Sequence, residues 1–153
     1  MTCDNAEYWY PANKFDARAV GLYRRHYSAT THRHGLRIDH LSRGIAPPGE
    51  DMILLTLDCK ALFGWIKQQF RKDKQIGVNC FVFRNEGNIL SSDLITEAMT
   101  LAKERWPGER LFTFVDPLKV KSSNPGYCFI QAGWRKCGRT KGGLLILDYF
   151  HVR

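Results

Sequence analysis

The stretch from Gly77 to Val115 constrains the fold more than any other part of the chain. Gly77 to Arg84 alternates Val78, Cys80 and Val82 with Phe81 and Phe83, the pattern of a buried strand. Asn88 to Trp106 then changes period. Leu94, Ile95, Ala98, Leu101, Ala102 and Trp106 fall on one face of a helix, Ser91 or Ser92 is a predicted cap, and Pro107-Gly108 ends it. Leu111 to Val115 returns to strand and closes at Asp116-Pro117. Strand, helix and strand in this order form a β-α-β crossover.

The remaining elements follow from shorter signals. Tyr8 to Pro11 reads as a first strand, and Phe15 to Tyr27 as a helix with Ala17, Val20, Tyr23 and Tyr27 at helical spacing. Thr30 to Gly49 is polar and punctuated by Gly35, Gly44 and Pro47-Pro48, so it reads as loop with room for one short strand. Met52 to Asp58 and Ala61 to Gln68 read as a hairpin turning at Cys59-Lys60, with a helix around Ala61 to Phe70 as the competing reading. Tyr127 to Ala132 is a short helix, and Trp134 to Thr140 and Leu144 to Phe150 are two last strands. The expected fold class is α/β, with a central mixed, mostly antiparallel sheet of about six or seven strands and flanking helices. With 153 residues and 44% hydrophobic residues, a single domain spanning 1–153 is expected. No apolar run approaches the ~18 residues of a membrane helix, and the first residues do not read as a signal peptide, so a cytoplasmic protein is expected.

Charge points outward. Lys and Arg number 23 against 15 Asp and Glu, a net charge of +8, which suits a polyanionic partner or an anionic cofactor. The excess is uneven. Arg18 to Arg43 holds six Arg and one acid, and Lys119 to Lys141 holds six Lys or Arg and no acid. Two basic rims flanking a neutral core would grip phosphates through Arg24, Arg25 and Arg33 on one side. Lys119, Lys121, Arg135, Lys136, Arg139 and Lys141 would do so on the other. Solvated loops are the plainer reading. The five cysteines show no C-x-x-C spacing and read as unpaired thiols.

The junction Phe83-Arg84-Asn85-Glu86-Gly87-Asn88-Ile89-Leu90-Ser91-Ser92 runs from the clearest strand into the clearest helix. Such a junction offers backbone N–H groups and the positive end of a helix dipole to a phosphate. The order β-β-β-α-β-α-β-β resembles the GNAT (Gcn5-related N-acetyltransferase) fold, whose pyrophosphate-binding signature is Gln/Arg-x-x-Gly-x-Gly/Ala. Arg84-x-x-Gly87-x-Ile89 matches its first two anchors and departs at the third. Five further segments extend the likeness: Arg24-Arg25-His26-Tyr27-Ser28, Phe83-Arg84-Asn85-Glu86, Ser91-Ser92-Asp93-Leu94-Ile95, Phe114-Val115-Asp116-Pro117, and Asn124 to Phe129 with Ala132-Gly133-Trp134. Together they resemble the Mom group of phage and prophage DNA-modification proteins, a divergent branch of that fold.

The resemblance implies modification of DNA adenine at N6, giving an N6-carbamoylmethyl adenine that shields phage DNA from restriction. It implies catalytic roles for His26, Tyr27, Asp116 and Tyr127, and cofactor contacts from Arg84, Gly87, Ser91 and Ser92. It brings with it acetyl-CoA or another acyl donor, against which the bulky Ile89 weighs, and an iron ion at His26 and Tyr27. Double-stranded DNA is the implied partner, and the oligomeric state stays open, a dimer included. A conventional acyl-CoA-dependent N-acetyltransferase and an inactive basic DNA-binding protein are the alternatives. Trp9, Trp65 and Trp134 are candidates to stack on an extruded base, although core positions are the expected place for at least two of them.

Overall fold

The structure is a computed structural model. It describes residues 6–26, 44–69, 71–120 and 123–150, and the backbone of 32–33 and 36–37. The strands are β1 (Trp9–Ala12), β2 (His32–Arg33), β3 (Leu36–Arg37), β4 (Glu50–Thr56), β5 (Ala61–Lys67), β6 (Val78–Asn85), β7 (Leu111–Val115), β8 (Arg135–Arg139) and β9 (Leu145–Tyr149). The helices are α1 (Ala17–Arg25), α2 (Ser91–Arg105) and α3 (Tyr127–Gln131). The fold is α/β. A seven-stranded mixed sheet runs β1-β4-β5-β6-β7-β9-β8, and β2 pairs only with β3. Ala61–Lys67 is a strand, which settles the choice against a helix there. Every pairing in the main sheet is antiparallel except β6 with β7, which the α2 crossover makes parallel. None of the described helices is long and apolar enough to cross a membrane.

Alternation along the strands divides the core into two layers. Met52 and Leu54 of β4 with Phe63 and Trp65 of β5 face Leu94, Ile95, Ala98 and Ala102 of α2. Ile53, Leu55 and Leu62 point the other way and meet Ala19 and Leu22 of α1. Three indoles fasten α2 to the sheet side. Trp9 Nε1 donates to the Leu94 carbonyl at 2.7 Å, Trp65 Nε1 to the Ala98 carbonyl at 3.0 Å, and Trp134 Nε1 to Met99 Sδ at 3.0 Å. All three tryptophans are therefore core residues, each 3% exposed or less, and none is placed to stack on a base.

One irregularity opens the sheet. β6 pairs with β7 only over Val78–Cys80 and Leu111–Thr113, although both strands continue. On its other edge β6 carries a bulge, with Trp65 opposite Cys80 and Gly64 opposite Val82, so Phe81 is the extra residue. Gly64 makes this feasible. A Cβ there would lie 2.5 Å from Phe81 Cζ and 2.9 Å from Val82 Cγ1. The bulge bends β6, and the two parallel strands part beyond Cys80 and Thr113.

Helix ends differ from expectation. α1 starts two residues late, because Asp16 caps it by accepting from the Arg18 N–H at 2.9 Å. α2 begins at Ser91 behind Leu90, and neither Ser91 nor Ser92 caps it. The Asn85 side chain takes over the turn instead, accepting from the Gly87 N–H at 3.0 Å and donating to the Ile89 carbonyl at 2.7 Å.

Candidate functional site

Where β6 and β7 diverge lies a cleft of about 450 Å³. Its walls are Asn79 to Phe83 of β6 and Thr113 to Val115 of β7 with the following Asp116, closed by Lys119, Val120, Gly126, Cys128, Phe129, Leu144 and His26. It sits at the C-terminal ends of two parallel strands, the usual place for a ligand in an α/β sheet.

His26 enters from the C-terminal end of α1, where its backbone N–H closes the helix on the Tyr23 carbonyl at 3.0 Å. Burial and the nearby Arg84 guanidinium push its pKa down to about 4, against a hydrogen bond to the Phe83 backbone that favours the charged form. The imidazole is neutral at pH 7. One ring nitrogen donates to Phe83 and the other carries the lone pair that a general base needs. Asp116 lines the same cleft and begins a tight turn. Its Oδ1 accepts from the Leu118 N–H at 3.0 Å, and its carbonyl accepts from Lys119 and Val120 at 3.2 Å each. Lys119 is exposed at the rim. Cys80 and Cys128 also face the cleft, and burial raises both thiols, so neither is a thiolate at neutral pH.

Of the residues singled out in the sequence, His26, Asp116 and Lys119 line this cleft. Tyr127 is not part of the lining: its side chain is 53% exposed at the start of α3, while Gly126, Cys128 and Phe129 around it face inward. Tyr27 and Lys121 lie outside the described residues, as does the side chain of Arg33, whose backbone is in β2.

The strand–helix junction is organised around itself. Arg84 Nε binds Glu86 at 2.6 Å, and Arg25 binds the same carboxylate at 2.7 and 3.0 Å. The two guanidiniums hold the Glu86 carboxyl down at about 2. The Glu86 N–H donates to the Lys60 carbonyl at 2.7 Å and the Gly87 N–H to Asn85. Ser91 Oγ accepts from Asn85 Nδ2 at 3.0 Å, Ser92 lends its carbonyl to Thr96 at 2.7 Å, and Ile89 packs against the core. Of the groups a pyrophosphate would use here, the Gly87 N–H is spent on Asn85 and the Arg84 guanidinium is engaged with Glu86. Both engagements count against the phosphates of an acyl-CoA. For iron, no group of three His, Cys, Asp or Glu side chains comes together among the described residues.

The basic residues divide by position. Arg139 pairs with Leu145, which pairs with Val115, so Arg139 and the following Lys141 lie at the cleft end of the sheet. Arg135 is at the opposite end, held with Arg110 on the buried Asp148 at 3.1 and 2.8 Å. Lys136 reaches Asn124 Oδ1 at 3.1 Å. Arg24 is exposed on α1. Asn79 and Thr113 are cleft residues that sequence reasoning missed. Both are polar residues inside strongly apolar strands, which was the available signal. No protein-family model matches the chain, and neither does any curated protein.

Proposed function

We propose that the protein is a DNA-modifying transferase of the Mom type, converting adenine in DNA to N6-carbamoylmethyl adenine in the bacterial cytoplasm and so protecting phage DNA from restriction. The observation that carries the reading is a neutral, partly buried His26 that lines, with Asp116, one cleft between two diverging parallel strands. The element series β4-β5-β6-α2-β7-α3-β8-β9 is the one on which the GNAT resemblance rests, and it supports a GNAT-like arrangement.

Adenine N6 is a poor nucleophile because its lone pair is delocalised into the ring, and in a duplex it is paired. Extruding the base into the cleft removes the pairing. The donor is a molecule carrying the carbamoylmethyl carbon on a leaving group. As N6 forms its bond to that carbon, the carbon–leaving-group bond breaks with its electron pair on the leaving group. His26 takes the proton that N6 loses, and Asp116 orients the amine. Lys119 at the rim, with Arg139 and Lys141 at the same end of the sheet, holds the phosphates. The internal pairing of Arg84 with Glu86 disfavours the conventional acyl-CoA-dependent acetyltransferase.

Expression in a bacterium, followed by digestion of plasmid DNA to nucleosides, tests the proposal. Deoxyadenosine heavier by about 57 Da, the mass of an added carbamoylmethyl group, is expected with the native protein and absent with His26→Asn. Unmodified DNA from cells holding soluble, folded native protein overturns it.

A further inference from the structure

Buried polar groups in proteins nearly always have a hydrogen-bond partner, and one without it needs a reason. Among the described residues, that atom is Asn79 Oδ1. Asn79 is 7% exposed. It sits in β6 between Ile66 of β5 and Phe112 of β7, neither of which offers a side-chain donor. Thr113, the neighbouring buried polar residue of the cleft, already donates its hydroxyl to the Cys80 carbonyl at 2.9 Å. An unmatched buried amide oxygen is destabilising, a loss that an apolar side chain would avoid.

Position gives the reason. Asn79 lies in the last stretch where β6 and β7 still pair, at the apex of the cleft that it lines. The walls of the cleft beyond that stretch include Phe81, Phe83, Phe114 and Phe129. Aromatic walls suit a flat ring, and the apex supplies an amide. An amide oxygen takes an N–H, and the adjacent NH2 gives one. That pair complements an amino-purine edge, where an exocyclic amine stands beside a ring nitrogen. A keto group in the amine's place would set oxygen against oxygen.

We infer that Asn79 is the residue that selects the base: its Oδ1 accepts one N6–H of adenine and its Nδ2 donates to the adjoining ring nitrogen. The inference rests on the DNA-adenine reading above and adds to it the group that reads the base. Of the two N6 hydrogens, one is held by Asn79 and the other is left for His26.

Duplexes carrying a single bulged base test it by fluorescence anisotropy, with adenine, purine (which lacks the amine) or hypoxanthine (which carries a keto oxygen) at the bulge. The native protein is expected to bind the adenine bulge about tenfold more tightly than the purine bulge, the worth of one buried hydrogen bond, and to bind hypoxanthine no better than purine. Asn79→Ala is expected to bind all three alike. Equal binding of adenine and either analogue by the native protein overturns the inference, and that comparison needs no variant. Discrimination retained in Asn79→Ala overturns it as well. Failure of the native protein to bind any of the duplexes would instead remove the DNA reading on which the inference stands.

Discussion

His26 carries a pH signature that its surroundings dictate. An imidazole with an ordinary pKa of 6.5 is held near 4 by burial and by Arg84. Between those values the unfolded chain binds a proton that the folded protein does not, so stability falls as pH is lowered from 6.5 toward 4. Asp16 and Glu86 act elsewhere. Their carboxyls are held at about 2 by hydrogen bonds from Arg18, and from Arg25 and Arg84, so their contribution is lost only as pH falls from the ordinary carboxylate range toward 2. Urea midpoints measured at about pH 7 and about pH 4.5 are expected to fall less in His26→Asn than in the native protein. An equal fall in both would mean that the ring is protonated in the folded state. The residue itself was legible only through its neighbours Arg24, Arg25 and Tyr27 in the sequence. Its neutrality was not, because the desolvation comes from a cleft formed by strands far away in the chain. Asn79 shows the converse. Sequence placed it correctly in a strand, but a polar residue in an apolar run has no stated purpose until the strand beside it is known.

At the scale of elements, the cleft depends on Gly64 more than on any residue that lines it. The bulge at Phe81 needs a residue without a side chain opposite it, and a Cβ at Gly64 meets the Phe81 ring and Val82. Gly64→Ala is expected to cost about 1–3 kcal/mol by overpacking, read from denaturant unfolding. Phe81→Leu in the same chain is expected to recover part of that loss, because the two side chains would compete for the same space. Additive losses would mean that the glycine serves some other neighbour. A second element-scale expectation concerns α2. Trp65→Phe removes the N–H that reaches the Ala98 carbonyl and is expected to destabilise by about 1 kcal/mol, again by denaturant unfolding. The elements themselves were legible wherever period was strong. β6, α2 and β7 came out within a few residues of expectation, and so did the β4–β5 hairpin. What sequence misassigned was the turn between β6 and α2. Ser91 and Ser92 have the right chemistry for a cap, but Asn85 lies closer to the turn and satisfies it first. Nor did any periodicity announce that β6 and β7 part company halfway. A bulge is one extra residue, and the alternation of Phe81, Val82 and Phe83 hides it among side chains that are all apolar.

Over the whole molecule, the net charge of +8 turns out to be two populations. One is structural: Arg25 and Arg84 share Glu86, Arg110 and Arg135 share Asp148, and Lys67 binds Glu109 at 2.8 Å. Burial pushes the Asp148 carboxyl up, yet the hydrogen bonds from Arg110 and Arg135 prevail and keep it ionised. The other population is exposed and makes no ion pair with a described residue. Lys119, Arg139 and Lys141 belong to it, and all three lie at the end of the sheet where the cleft opens. Sequence located the basic segment from Lys119 to Lys141 but not this division, because Arg135 and Arg139 are four residues apart and reach opposite ends of the same strand. Under the DNA reading the two arginines have different work, which neutralisation separates. Arg139→Gln with Lys141→Gln is expected to weaken duplex binding and to lower the slope of log affinity against log salt by about 0.9 for each phosphate that is no longer neutralised. Arg135→Gln is expected to leave that slope unchanged and to lower the unfolding midpoint instead, since Asp148 then depends on Arg110 alone. A salt slope that falls equally in both variants would place the DNA along the whole β8 edge and not at the cleft end, and His26 and Asp116 would then lie away from the bound duplex.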